Sequence, residues 1–170
     1  MDEVQFNELK DRTKVLSRDL GACKESYHVL LKTESIGQFC LYMKRYWNDV
    51  VGKYHDGVFD ILDDLYEKNK EEFNRYDIYY NESSDKGRCL VSRGEGYEFS
   101  GKAQVWMYGN SSASIKGAKV SAYEHSHVIA YKGANVLMYD NSTAVALEYC
   151  YIHTFNNNKV EQKTHINLVR

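Results

Sequence analysis

The chain of 170 residues sets 22 Lys and Arg against 24 Asp and Glu, a net charge of −2. That balance excludes an overtly basic nucleic-acid wrap as well as an acidic mimic of DNA. No stretch reaches the roughly 18 apolar residues of a membrane span. Cys23, Cys40, Cys89 and Cys150 lie far apart, match neither a CxxC metal pattern nor a dense disulfide framework, and read as reduced thiols. The charged N-terminus MDEVQFNELKDR has no signal-peptide character, so a cytoplasmic location is expected.

Residues 1–80 read as a helical domain. Val4, Leu9, Leu16 and Leu20 mark a first amphipathic segment ending near Gly21, and a short piece follows around Tyr27–Leu31. Ser35 is placed to cap a longer helix, with Ile36, Phe39, Cys40, Met43, Trp47, Val50, Val51 and Tyr54 at helical spacings along one face. Asp56 is expected to cap the next, whose apolar side carries Val58, Phe59, Ile61, Leu62, Leu65, Tyr66 and Phe73. Its other face is acidic, with Asp60, Asp63, Asp64, Glu67, Glu71 and Glu72, and solvation is the simplest account of it. The segment DIYYNESSDKGR, Asp77 to Arg88, reads as an extended piece and a turn, and the boundary between domains is placed there.

From about Cys89 onward an eight-residue unit repeats, close to V-x-A-Y-x-G/N-S/A-x. Val105, Ala113, Val120, Val128, Val136, Ala144, Ile152 and Val160 hold its first strong position, and Met107, Ile115, Ala122, Ala130, Met138 and Ala146 follow two residues on. Alternation puts each such pair on one face of a strand. The next residue, Tyr108, Tyr123, Tyr131, Tyr139, Leu147 or Phe155, is expected to point away from the core. Corner positions follow at Gly109, Gly117, Gly133, Asn141 and Asn157, types that tolerate positive φ. A small inward residue then returns, with Ala103, Ala118, Ala134 and Cys150 alternating against Ser111, Ser126, Ser142 and Asn158. Like therefore returns above like every 16 residues, apart from one step of seven between Ala113 and Val120. The expected fold is α+β: a helical domain at 1–80, then a parallel β-solenoid at 81–170 with two octads per coil. Tyr123, Tyr139 and Phe155 would stack as a ladder.

Candidate chemistry is sparse. His125, His127 and His153 fall at different positions of the repeat and do not converge, so no metal or other cofactor is expected. Glu124, Asp140 and Glu148 recur after the aromatic position, where Lys116 and Lys132 stand in other units, which reads as charge alternation along a solvated corner. With no nucleotide, hydrolase or metalloprotease motif, an enzyme is not expected.

The run YGNSSASIKGAKVSAYEHSHVIAYKGANVLMYDNSTAVALEY resembles the octapeptide-repeat β-helix proteins of bacterial and phage genomes. That resemblance covers about residues 100–160, implies the solenoid fold, and carries no catalytic residues over. By analogy with such small mobile-element products, it implies an inhibitor of host machinery, CRISPR defence complexes included. The expected function is non-enzymatic binding of a larger protein or ribonucleoprotein, through Tyr108, Tyr123, Tyr131, Tyr139, Lys116 and Lys132. Two alternatives are single-stranded nucleic-acid binding, with Lys102, Lys116, Lys119 and Lys132 meeting phosphates, and self-assembly, including a homodimer through the solenoid end.

Overall fold

The computed structural model describes residues 3–52, 55–155, 158–162 and 167–169. The chain divides into two compact units, Met1–Tyr80 and Asn81–Arg170.

The first unit contains α1 (Glu3–Asp19), α2 (Lys24–Leu31), α3 (Ile36–Arg45), α4 (Trp47–Gly52), α5 (His55–Arg75) and a short strand β1 (Ile78–Tyr80). Cys23 caps α2 by accepting from the Ser26 N–H through Sγ, and Ser35 caps α3 by accepting from Gln38 N–H, as its sequence position predicts. The long helix expected after Ser35 is instead two, broken at Tyr46 (φ −113°, ψ 34°). Trp47, Val50 and Val51 are buried beyond the break. Tyr54 lies outside the described residues. Helix α5 starts at His55, so Asp56 falls inside it rather than at its cap, and Asn69 interrupts its dihedrals (φ −131°). Phe6, Leu9, Leu30, Phe39, Met43, Leu62, Leu65 and Phe73 form the core of this unit, with the Phe6 ring edge-on to Phe39 at 6.4 Å. On the acidic face of α5, Glu67 and Glu71 are exposed.

The second unit is a parallel β-solenoid of about 16 residues per coil. Its strands are β2 (Arg88–Val91), β3 (Tyr97–Ser100), β4 (Gln104–Met107), β5 (Ser112–Lys116), β6 (Lys119–Ala122), β7 (His127–Tyr131), β8 (Asn135–Met138), β9 (Thr143–Ala146), β10 (Tyr151–Thr154), β11 (Lys159–Gln162) and β12 (Asn167–Val169). The chain alternates between two sheets. One orders β2-β4-β6-β8-β10-β12 and the other β3-β5-β7-β9-β11, every neighbouring pair parallel. Val105 pairs with Val120, Val120 with Val136 and Val136 with Ile152 along one inward column, all buried. Ala103, Ala118, Ala134 and Cys150 close the core at one edge and Ser111, Ser126 and Ser142 at the other, and all seven are buried.

The step of seven is absorbed at a corner. Lys116 pairs with Tyr131 and Lys119 with Asn135, so residues 117–118 turn where 132–134 turn in the next coil. One residue is lost from the bend and none from a strand, which leaves the inward–outward alternation intact on both sides.

Left-handed backbone marks the corners at Gly109 (φ 62°), Gly117 (φ 68°), Glu124 (φ 56°), Lys132 (φ 52°), Gly133 (φ 83°) and Asp140 (φ 54°). At the Tyr139 corner it is thus Asp140, not Asn141, that takes the positive φ. A Cβ at Gly109 would meet the Ser92 carbonyl oxygen at 2.7 Å, whereas nothing lies within 4 Å of one at Gly133. Gly109→Ala is therefore expected to lower stability by about 2–3 kcal/mol and Gly133→Ala by about 1, because the second carries only the dihedral cost. Equal losses in urea unfolding would remove the close approach as the cause.

Candidate interaction surfaces

The two corner series form two different edges. The first, leading from the β2 sheet to the β3 sheet, carries the aromatic ladder. Tyr108 stacks on Tyr123 at 4.7 Å between ring centroids, Tyr123 on Tyr139 at 4.7 Å and Tyr139 on Phe155 at 4.6 Å, with planes within 6° of parallel. The ring spacing equals the strand spacing of a parallel sheet, which is why an aromatic in this position must stack. Tyr123 and Tyr139 are half-buried and Phe155 is 57% exposed. Tyr108, expected on the outside, is buried at 2% exposure, so it offers no surface to an added partner. Burial, with Tyr139 and Asp140 nearby, raises the Tyr123 phenol above its ordinary pKa.

Hydrogen bonds tie this edge together coil by coil. The Gly109 N–H donates to Glu124 Oε2 (2.7 Å) and the Glu124 N–H to Asp140 Oδ2 (3.2 Å). Ser126 and Ser142 hydroxyls donate to the Tyr123 and Tyr139 carbonyls (2.7 and 2.8 Å), and Asn158 Nδ2 reaches the Asp140 carbonyl at 3.0 Å. These carboxylates hold backbone amides of neighbouring coils, so their recurrence has a structural cause. Glu148 lies on the opposite edge, apart from Glu124 and Asp140.

That opposite edge gathers the lysines. Lys102, Lys116, Lys119 and Lys132 are all exposed there, at or beside the corners 101–103, 117–118 and 132–134. Lys116 pairs with Tyr131 in adjacent strands, and Tyr149 (52% exposed) and Tyr151 (40%) continue the edge into the next coil, their rings perpendicular at 5.2 Å. The six residues singled out from the sequence thus separate: Tyr108, Tyr123 and Tyr139 on the ladder edge, Lys116, Tyr131 and Lys132 on the lysine edge.

Sequence reasoning missed a third feature, on the outer face of the β2 sheet. Register aligns Leu90, Trp106, Ser121, Leu137 and His153 in one outward column. Small Ser121 between Trp106 and Leu137 leaves a depression of about 390 Å³, bordered by Gln104, Lys119, Asn135 and His153. The available signal was the 16-residue spacing applied to the outward positions as well as the inward ones.

The histidines stay apart. His127 hydrogen-bonds Thr143 Oγ1 through Nδ1 (2.8 Å) on one sheet, His153 stands on the other, and His125 is exposed at a corner. Among the described residues no group of three His, Cys, Asp or Glu is placed to hold a metal ion. All four cysteines are free, and burial pushes the Cys40 and Cys89 thiols up to about 12, far from the thiolate form that reactive cysteines need. Among the described residues no helix is long and apolar enough to cross a membrane.

Taken together, the chain is a helical unit followed by a two-sheet parallel β-solenoid. Comparison with protein-family models, curated proteins and solved structures finds no match to it.

Proposed function

We propose that this protein is a non-enzymatic binding module for a larger protein or ribonucleoprotein complex. The observation that carries this is the depression over Ser121, flanked by the large aromatic Trp106 and by Leu137 and rimmed by Gln104, Lys119, Asn135 and His153. Protein interfaces are built that way, with an aromatic-lined pocket taking one anchor side chain inside a polar rim. The backing is rigid, because the column is hydrogen-bonded on both sides into one sheet. Tyr131, Lys116 and Lys132 are retained as partner contacts on the adjoining edge, while Tyr123 and Tyr139 support the scaffold.

The resemblance to octapeptide-repeat proteins suggests the specific form: a phage- or mobile-element-encoded inhibitor acting in the cytoplasm on a host defence complex such as a CRISPR effector. The test is recovery of partners from nuclease-treated bacterial lysate by the tagged wild-type chain and by Ser121→Arg, whose side chain fills the depression. One stoichiometric protein held by the wild type and reduced at least about tenfold by Ser121→Arg is expected, the effect of losing an anchor contact. Identical recovery by both proteins would sink the assignment. Recovery that depends on nucleic acid would favour a nucleic-acid binding protein, and concentration-dependent mass in light scattering without a partner would favour self-assembly.

A further inference from the structure

We infer that the lysine edge of the solenoid binds the backbone of single-stranded nucleic acid. In sequence Lys102, Lys116, Lys119 and Lys132 are scattered through a stretch of no marked net charge, as residues 89–170 hold 8 Lys and Arg against 6 Asp and Glu. Coiling sorts them. Each of three successive coils places one lysine at or beside this edge's corner, Lys102 two residues past Ser100, Lys116 paired with Ser100 and Tyr131, and Lys132 one residue past Tyr131. None of the four has a carboxylate within ion-pair distance among the described residues. Glu124 and Asp140 occupy the other edge and hold backbone amides there. Glu148 stands one coil on from Lys132 and Asp85 beside Lys102, so the lysine edge is not free of carboxylates, but its four lysines leave it the more cationic of the two edges.

The aromatic side chains decide which anion. Tyr149 and Tyr151 stand exposed at the end of the lysine row, and Tyr131 lies beside Lys116 within it. Cations along a straight groove or edge, interleaved with exposed rings, are the means by which proteins hold unpaired strands: phosphates meet lysines and bases stack on the rings. A duplex keeps its bases stacked on each other and has no use for the rings. This edge adjoins the depression on the sheet face, with Lys119 bordering both, and the test below uses the chain alone, so its outcome does not depend on a protein partner.

The experiment is fluorescence anisotropy of a labelled oligothymidylate of about 20 nucleotides, titrated with the full chain at several salt concentrations. Four lysines on a single strand predict a slope near −3 for log affinity against log salt, at about 0.7 per phosphate neutralised. Lys116→Glu with Lys132→Glu is expected to weaken binding at least about tenfold. The charge-matched pair Lys24→Glu with Lys68→Glu, exposed on the helical unit, should stay within about twofold, and urea midpoints confirm that both variants fold. Four results would overturn the inference: no anisotropy change at about 50 mM salt, equal weakening by the two variant pairs, tighter binding of a duplex of the same length, or equally effective competition by polyglutamate.

Discussion

Replacing Tyr123 by alanine is expected to destabilise the solenoid by about 2–3 kcal/mol, while Tyr123→Phe costs less than about 1. Tyr123 has a stacked ring on each side, Tyr108 and Tyr139 both at 4.7 Å. Its removal forfeits two stacking contacts, each worth about 0.5–1.5 kcal/mol beyond burial, and opens a gap in a half-buried column. The phenylalanine keeps both contacts and loses only the hydroxyl. Because each coil touches only its neighbours, the loss should be local. Hydrogen exchange should therefore show faster exchange in β4, β6 and β8 and little change in α1–α5. A uniform loss of protection across both units, or an alanine variant as stable as the phenylalanine one, would show that the ladder is not what joins these coils.

Val136→Asp should prevent folding or cost more than about 4 kcal/mol, and Asn135→Asp next to it should cost less than about 0.5. Val136 is fully buried, paired on one side to Val120 and on the other to Ile152. A carboxylate there has no polar partner and must either stay ionised in an apolar column or take up a proton against its ordinary pKa. Asn135 starts the same strand on the outward side, where a charge remains in water. Urea unfolding followed by far-ultraviolet circular dichroism separates the two. A folded Val136→Asp protein of near wild-type stability would contradict the inward register of the whole column, since adjacent positions of a strand face opposite ways.

The solenoid was legible in the sequence because its period is short and its inward positions accept few residue types. Val105, Val120, Val136 and Ile152, the Ala–Cys column and the Ser column are each diagnostic, and together they gave two octads per coil. The helix caps at Cys23 and Ser35 show the contrast: the serine is a common cap and was anticipated, the thiol is not and was missed. The break at Tyr46 was illegible because the apolar spacing runs through it unchanged. Tyr108 was misplaced for a different reason. It matches Tyr123 and Tyr139 in the repeat, so its burial comes from its location in the molecule, to which a repeat is blind.

What the sequence determined by itself is the period, the two-sided alternation and the stacking of aromatic on aromatic. Those follow from local rules, since a side chain's face is set by its parity along a strand and its neighbour by the coil length. What only the tertiary structure decided is which surface residues meet. Lysines separated by a whole coil are brought to one edge, on the opposite edge each carboxylate accepts from a backbone N–H of the preceding coil (Glu124 from Gly109, Asp140 from Glu124), and Ser121 between Trp106 and Leu137 becomes a depression. Outward positions tolerate almost any residue, so they carry no pattern to read, and only closing the coil brings their chemistry together.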